Sequence, residues 1–354
     1  MTERRPYNGP IFDVQAHAIK PSGYEAVATG VRNKATLEKE TAEIIADDIC
    51  RQLADDLVGD PRRRILGKEN IQVVTVNTFF PPFPAEKLLV MVNDINQWMA
   101  TKTANNPQLI GTATIPPPSA IRTAGNAPDG EPYSQKAISI LRYAIVDLGL
   151  KAVFMASNYD GVFLGDAAFD PYFALAEELK VPVIIHPAVE PVEAPFIPRK
   201  NISTYSGFLN DQRTALLDLV LSGVYEKYPD ITIIATHLGG GILTSLGRFD
   251  ALSMRFPADS WYIDQTGQKK LLPRPISDYL RNIYFDCNNA NFTDILHAAS
   301  VVGYDHLLTG TDYPWTDDVF TREVLGELNP ETRINVAYNN AAKLFGFEAI
   351  NLNN

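Results

Sequence analysis

Short apolar, β-branched runs recur along the chain and stop abruptly on polar or ionisable side chains. They occupy residues 11–16 (leading to Gln15-Ala-His17), 71–76, 109–115, 151–156, 183–186, 231–236, 283–287 and 307–310. Runs of this length and composition predict strands buried on both faces. Between them the apolar positions are spaced by threes and fours. That spacing predicts helices over 36–58, 88–99, 134–148, 171–179, 216–225 and 332–345, with others opening at Gly239-Gly240-Gly241 and at Phe320. Asp170 is placed to cap the 171–179 helix. Strand and helix alternate about eight times without an internal repeat or long linker, the pattern of an α/β (β/α)8 TIM barrel. A doubly wound sheet would carry a phosphate-loop signature, and neither GxxxxGK[ST] nor GxGxxG occurs. The chain therefore reads as a single domain over 1–354, with insertions at about 20–60, 187–210 and 254–280 at the C-terminal face.

In a parallel barrel the C-terminal ends of all strands open on one mouth. His17, His186 and Asp312 stand at the ends of the first, fifth and eighth strands, and His237 at the end of the sixth. Two imidazoles and a carboxylate suit zinc, and equally manganese or Fe(II), with positions left for substrate or water. His237 is either a further ligand or a proton donor and acceptor beside the metal. The period of two puts Gln15 on the same face as His17.

Each of these residues also has a plainer reading. A lone strand-end histidine is more often a structural hydrogen-bonding residue, and Asp-Tyr-Pro at 312–314 is good turn chemistry. It is the set, gathered at one rim, that points to chemistry. His297 and His306 lack that placement and read as structural. Asp286 and Asn288 face the same mouth, either toward substrate or toward loop amides. The glycine run at 239–241 permits an anion site at a helix start, but a tight turn is the better-supported reading. Arg199, Lys200 and Arg213 are available to meet a substrate carboxylate.

Composition narrows the function. The 354 residues are 45% hydrophobic and 21% charged, enough for a large core. A net charge of −11 without basic blocks argues against a nucleic-acid partner. No signal peptide or span of about eighteen apolar residues is evident, so a membrane partner is not expected and the cytoplasm is the expected location. Cys50 and Cys287 are far apart and form no CxxC, which speaks against a disulfide framework or a thiolate zinc site.

Six segments together resemble the amidohydrolase-related family: DVQAHAI, VPVIIHPA, SGVYEKYPDITIIATHLGGG, RNIYFDCNN, LLTGTDYPW and NNAAKLFGF. This is the branch of the amidohydrolase superfamily that contains aminocarboxymuconate-semialdehyde and dihydroxybenzoate decarboxylases. The resemblance runs through almost the whole chain. It implies a distorted barrel with one divalent metal, usually zinc or manganese, held by His17, His186 and Asp312. His237 would be the catalytic or substrate-orienting histidine, with Asp312 able to shuttle a proton. The chemistry implied is non-oxidative decarboxylation or hydrolysis of a small carboxylate; Asn288 and Arg213, from the reading of the mouth and loops, are the candidate substrate contacts. Zinc is the first expectation, with manganese or iron as alternatives. One position departs from the family pattern of His-x-His or Glu-x-His. Gln15 stands first, and a neutral amide is the poorer ligand. An iron- or manganese-dependent hydroxylase subunit, including a companion subunit with a single zinc, is the alternative function. A non-catalytic barrel kept as an assembly partner is the third. A homodimer, or a hetero-oligomer with a paralogous subunit, is the expected assembly.

Overall fold

The computed structural model describes residues 6–18, 20, 67, 69–76, 80, 82–188 and 202–351. Eight strands in chain order form one sheet: β1 (Phe12–Ala18), β2 (Ile71–Val76), β3 (Leu109–Thr114), β4 (Ala152–Ala156), β5 (Val183–His186), β6 (Ile233–Ala235), β7 (Tyr284–Asp286) and β8 (Leu307–Leu308). Every neighbouring pair is parallel. Parallel bridges from Asp13 to Thr309 and from Ala16 to Tyr313 bring the stretch after β8 back onto β1. The result is a nearly closed (β/α)8 barrel. Among the described residues no helix is long and apolar enough to cross a membrane.

The lumen floor takes one residue from each strand. Val14, Val73, Ile110, Ala152, Ile184, Ile234 and Leu308 form one buried cluster, with Tyr284 packed against it. Tyr338 and Ala341 close its lower end, Tyr338 edge-on to Phe12 at 5.5 Å between ring centroids. Side chains alternate faces along a strand, so the next lumen positions toward the mouth are Thr75, Thr112, Phe154, His186, Thr236, Asp286 and Gly310. Apart from Phe154 and Gly310, the lumen changes from hydrocarbon to polar within one step of the pleat.

β1 reaches the same level by a different device. Asp13 pairs with Gln72 and Ala16 with Val74, so three residues on β1 span two on β2. This is a one-residue bulge. It lets Val14 join the floor while Gln15 and His17 both face the mouth. The simple alternation used on the sequence gave the right face for Gln15 and His17 but did not foresee Val14 below them.

Several expected elements are shifted. The helix expected over 216–225 runs over Phe208–Leu221 in the barrel wall, and is followed by a separate turn, Val224–Lys227, after the left-handed Gly223. Asp170 is not a cap. It is the first residue of the Asp170–Leu179 helix, with Phe169 at the N-cap, and its carboxylate meets Lys227 Nζ at 2.5 Å. The region at 254–280 contains an antiparallel hairpin, Trp261–Ile263 with Lys269–Leu271. The helix expected over 36–58, the 20–60 insertion apart from Lys20, and residues 189–201, with Arg199 and Lys200, lie outside the described residues.

Asn96, on the long helix Ala85–Thr103, shows how the wall is tied to the barrel. Its side chain accepts from Thr114 N at 2.8 Å and donates to Thr114 O at 3.1 Å, capping the end of β3 where the ladder stops. Asn96 is fully buried, so no water can substitute. Asn96→Ala is expected to lower stability by about 3 kcal/mol, because two buried backbone groups lose their partners. Urea unfolding checks this, and an unchanged midpoint would refute it.

Candidate metal centre

Three side chains from β1, the end of β5 and the loop after β8 converge. His17, His186 and Asp312 each offer a ligand atom, and these atoms lie within 4.8 Å of one another. His17 Nε2 is 2.9 Å from Asp312 Oδ1, and His186 Nε2 is 3.4 Å from the same oxygen. The two imidazoles sit edge to face with centroids 4.5 Å apart.

The other nitrogen of each ring decides what these atoms are. His186 Nδ1 is 2.8 Å from Pro187 O, a carbonyl that can only accept. Nδ1 therefore carries the proton. Burial holds His186 below its ordinary pKa, so the ring is neutral and Nε2 is a lone pair. Thr75 Oγ1 lies 3.1 Å from Ala16 O and 2.8 Å from His17 Nδ1. The carbonyl takes the hydroxyl proton, so Oγ1 accepts from His17 Nδ1–H, and in the neutral ring Nε2 again faces Asp312 as a lone pair. Two lone pairs and an anionic oxygen pointing at one another repel unless a cation lies among them. The donor set fits a divalent metal of the zinc–manganese kind.

His237 stands beside this group. Its Nε2 is 4.0 Å from Asp312 Oδ2, its Nδ1 is 2.8 Å from Asn288 Oδ1, and its ring is 5.3 Å from that of His186. Burial, partly opposed by the Asp312 charge, lowers its pKa to about 4. The backbone here is unusual. His237 and Leu238 have φ of 51° and 49°, and Gly239, Gly240 and Gly241 continue in the left-handed region. A Cβ at Gly240 would lie 2.0 Å from Leu209 O, so the glycine permits close approach of the Phe208–Leu221 helix backbone. The glycine run thus follows its plainer reading, a tight turn, within a single helical turn His237–Gly240. Asp286 Oδ1 accepts from His237 N at 2.9 Å and from Asn288 N at 3.1 Å, so Asp286 serves loop amides. Its Oδ2 is buried without a partner among the described residues, and burial raises its pKa well above normal. At Gly310 an added Cβ would meet Asp286 Oδ2 at 2.6 Å.

The remaining sequence candidates separate. Gln15 lies in the site, its Nε2 2.9 Å from His237 Nε2 and its Oε1 buried without a partner among the described residues. Asn288 touches His237. Arg213 turns elsewhere, donating to Ser245 Oγ with its guanidinium over Phe249. His297 and His306 are outside the cluster, His306 stacked on Tyr284. Thr75 was missed. Its signal was a polar residue in an apolar strand, at the rung beside His17.

Fold and site together define a barrel metalloprotein with a two-histidine, one-aspartate centre at the C-terminal mouth. A family profile described as amidohydrolase matches residues 77–347, and the chain belongs to that family. It is 22% identical to the 2-amino-3-carboxymuconate-6-semialdehyde decarboxylase of Dictyostelium discoideum over 318 residues, covering 87% of this chain and 82% of that protein. Among solved structures, 5-carboxyvanillate decarboxylase from Novosphingobium aromaticivorans, complexed with manganese and 4-hydroxy-3-methoxy-5-nitrobenzoic acid, superposes with a TM-score of 0.77. That match has 19% identity and covers 98% of this chain and 100% of that one. A dihydroxybenzoic acid decarboxylase from Polaromonas sp. JS666, with bound manganese and 2-nitroresorcinol, gives 0.72 at 18% identity, covering 96% and 97%.

The low pKa of His237 has a consequence for stability. A histidine whose folded pKa lies below its unfolded value of 6.5 contributes stability above pH 6.5, which is lost as the pH falls toward about 4. The loss at full protonation is on the order of 3 kcal/mol. In chelator-treated protein, the melting temperature is expected to fall across this window, and less steeply in His237→Gln. Parallel profiles for the two proteins would contradict it.

Proposed function

We propose that this protein is a metal-dependent, non-oxidative decarboxylase of a small aromatic carboxylate. The observation that carries the reading is the convergence of His17 Nε2, His186 Nε2 and the Asp312 carboxylate within 4.8 Å, with His237 alongside. The relatives named above, all decarboxylases and two of them with manganese, support it. His17 Nε2, His186 Nε2 and Asp312 would hold the ion, and zinc, the first expectation from the sequence, and manganese both suit this set. When bound, it supplies Lewis-acid charge for a substrate carboxylate and an adjacent oxygen.

The rest belongs to the chain's own side chains. In decarboxylation the bond to the carboxyl carbon breaks, its electron pair stays on the substrate carbon, CO2 leaves, and a proton takes its place. Asp312 Oδ2 and His237 Nε2, 4.0 Å apart, are the two atoms placed to hold and pass that proton. With its pKa near 4, His237 is neutral at working pH. Its Nε2 would accept the proton of the substrate oxygen bound beside the carboxylate, and that proton would pass through Asp312 Oδ2 to the carbon that CO2 leaves. Phe154, 6.1 Å from the His186 ring, supplies an apolar wall on that side of the lumen.

The test combines metal analysis with CO2 release. Protein loaded with manganese or zinc is expected to hold about one ion per chain and to release CO2 from a panel of hydroxybenzoates and carboxyvanillate. Chelation should stop turnover, and metal should restore it. His186→Ala and Asp312→Asn should lose both the ion and at least about a hundredfold in rate. Metal uptake without CO2 release from any carboxylate would sink the decarboxylase reading, while absence of uptake would sink the metal site.

Gln15 offers a separate check. Gln15→Glu or Gln15→His should tighten metal retention against a competing chelator, since either side chain is a stronger ligand than an amide. Unchanged retention would mean that the position 15 side chain does not reach the ion.

A further inference from the structure

The hydrogen bonds around His237 form one line. Thr316 Oγ1 bonds Thr311 O, Asn288 Nδ2 lies 3.4 Å from Thr316 Oγ1, Asn288 Oδ1 lies 2.8 Å from His237 Nδ1, and His237 Nε2 lies 2.9 Å from Gln15 Nε2. Amides and imidazoles can each be turned or tautomerised, so most of this line could run in either direction. If Asn288 flipped, its NH2 would donate to Nδ1, His237 would carry its proton on Nε2, and Gln15 would present its oxygen. Every link would still hold except one.

That link is Thr316. A backbone carbonyl can only accept, so the Thr316 hydroxyl spends its single proton on Thr311 O. Toward Asn288 it is then an acceptor and must meet the NH2 side of the amide. Asn288 Oδ1 is left to face His237 Nδ1, and Asn289 Nδ2 donates to the same oxygen at 3.0 Å. His237 therefore carries its proton on Nδ1 and a lone pair on Nε2. Gln15 answers with its NH2, which accounts for its buried Oε1 having no partner.

We propose that Thr316 is a positioning residue that fixes the direction of this chain and so presents His237 Nε2, rather than Nδ1, as the proton acceptor in the pocket. The proposal deepens the decarboxylase reading and rests on it for the use made of His237, whereas the tautomer can be measured without turnover. Thr316 acts two residues away from the ring, through Asn288 alone. A residue of this kind sets which nitrogen works, as outer partners of metal-bound histidines set theirs.

The test is 15N NMR of histidine-labelled protein, zinc-loaded to keep it diamagnetic, with the His237 signals assigned by their loss in His237→Gln. Wild type should show a protonated, pyrrole-type Nδ1 and a pyridine-type Nε2. Thr316→Val should move both toward the opposite or an averaged tautomer, and Thr316→Ser should restore them. Thr316→Val should also lower kcat by about ten- to a hundredfold with little change in KM, and Thr316→Ser should recover it. Adding Asn288→Asp to Thr316→Val provides a second route. A carboxylate accepts from either oxygen, so the double variant should regain the Nδ1–H signal even if the single variant is poorly folded. A pyridine-type Nδ1 in wild type, or unaltered shifts in a folded Thr316→Val, would overturn the proposal. If the shifts behave as expected and no carboxylate is turned over, the tautomer assignment stands and the decarboxylase reading fails.

Discussion

The centre of this molecule is an electrostatic conflict. Asp312 is ionised and faces two imidazole nitrogens whose protons have been drawn to the far side of each ring, by Pro187 O in one case and Thr75 Oγ1 in the other. An isolated protein has little reason to bury such an arrangement, since unpaired buried charge and lone pairs carry large desolvation penalties. A divalent cation converts the same three atoms from mutual repulsion into a chelate. The backbone contributes as well. Asp312 has a φ of 60° and is held by its N–H to Gln15 O at 2.8 Å, so the seam that closes the barrel also fixes the carboxylate.

The barrel makes this conflict sustainable by separating duties along each strand. The lower lumen residues provide apolar burial, each large aliphatic chain contributing about 2 kcal/mol. The upper lumen residues then need only satisfy one another. Asp13 shows the coupling at the seam. It accepts from Gln72 at 2.8 Å, from Thr311 N at 3.0 Å and from Gln15 N at 3.0 Å, tying β1 and β2 to the start of the Asp312 loop. Burial raises its pKa to about 6 despite these donors, a measure of how dry the seam is.

Much of this was readable beforehand because parallel barrels convert a one-dimensional signal into a three-dimensional one. A run such as VPVIIHP states both that a strand is buried and where it stops, and the shared mouth brings such endings together. His17, His186 and Asp312 were recognisable on that ground. What stayed illegible depends on side-chain pairing across unrelated segments. Thr316 looks like any loop threonine until its proton is seen to be committed to Thr311 O. Arg213 looks like a carboxylate clamp until the Phe208–Leu221 helix is seen to turn it toward Ser245 and Phe249. Asp170 satisfies the compositional rule for a cap, yet it stands as the first helical residue and its carboxylate pairs with Lys227 instead of the helix N–H groups.

The extra residue in β1 has a wider meaning for how this scaffold tolerates change. Because Val14 and Gln15 share one rung of the ladder, the first fills the hydrocarbon floor and the second is free of it. Replacing the side chain at position 15 therefore alters a single polar contact and leaves the packing beneath intact. In an evenly paired strand the same exchange would disturb its neighbours on the lumen wall. The irregularity makes position 15 a modular socket beside the His237 ring, where one polar side chain can replace another without rebuilding the hydrocarbon floor beneath it.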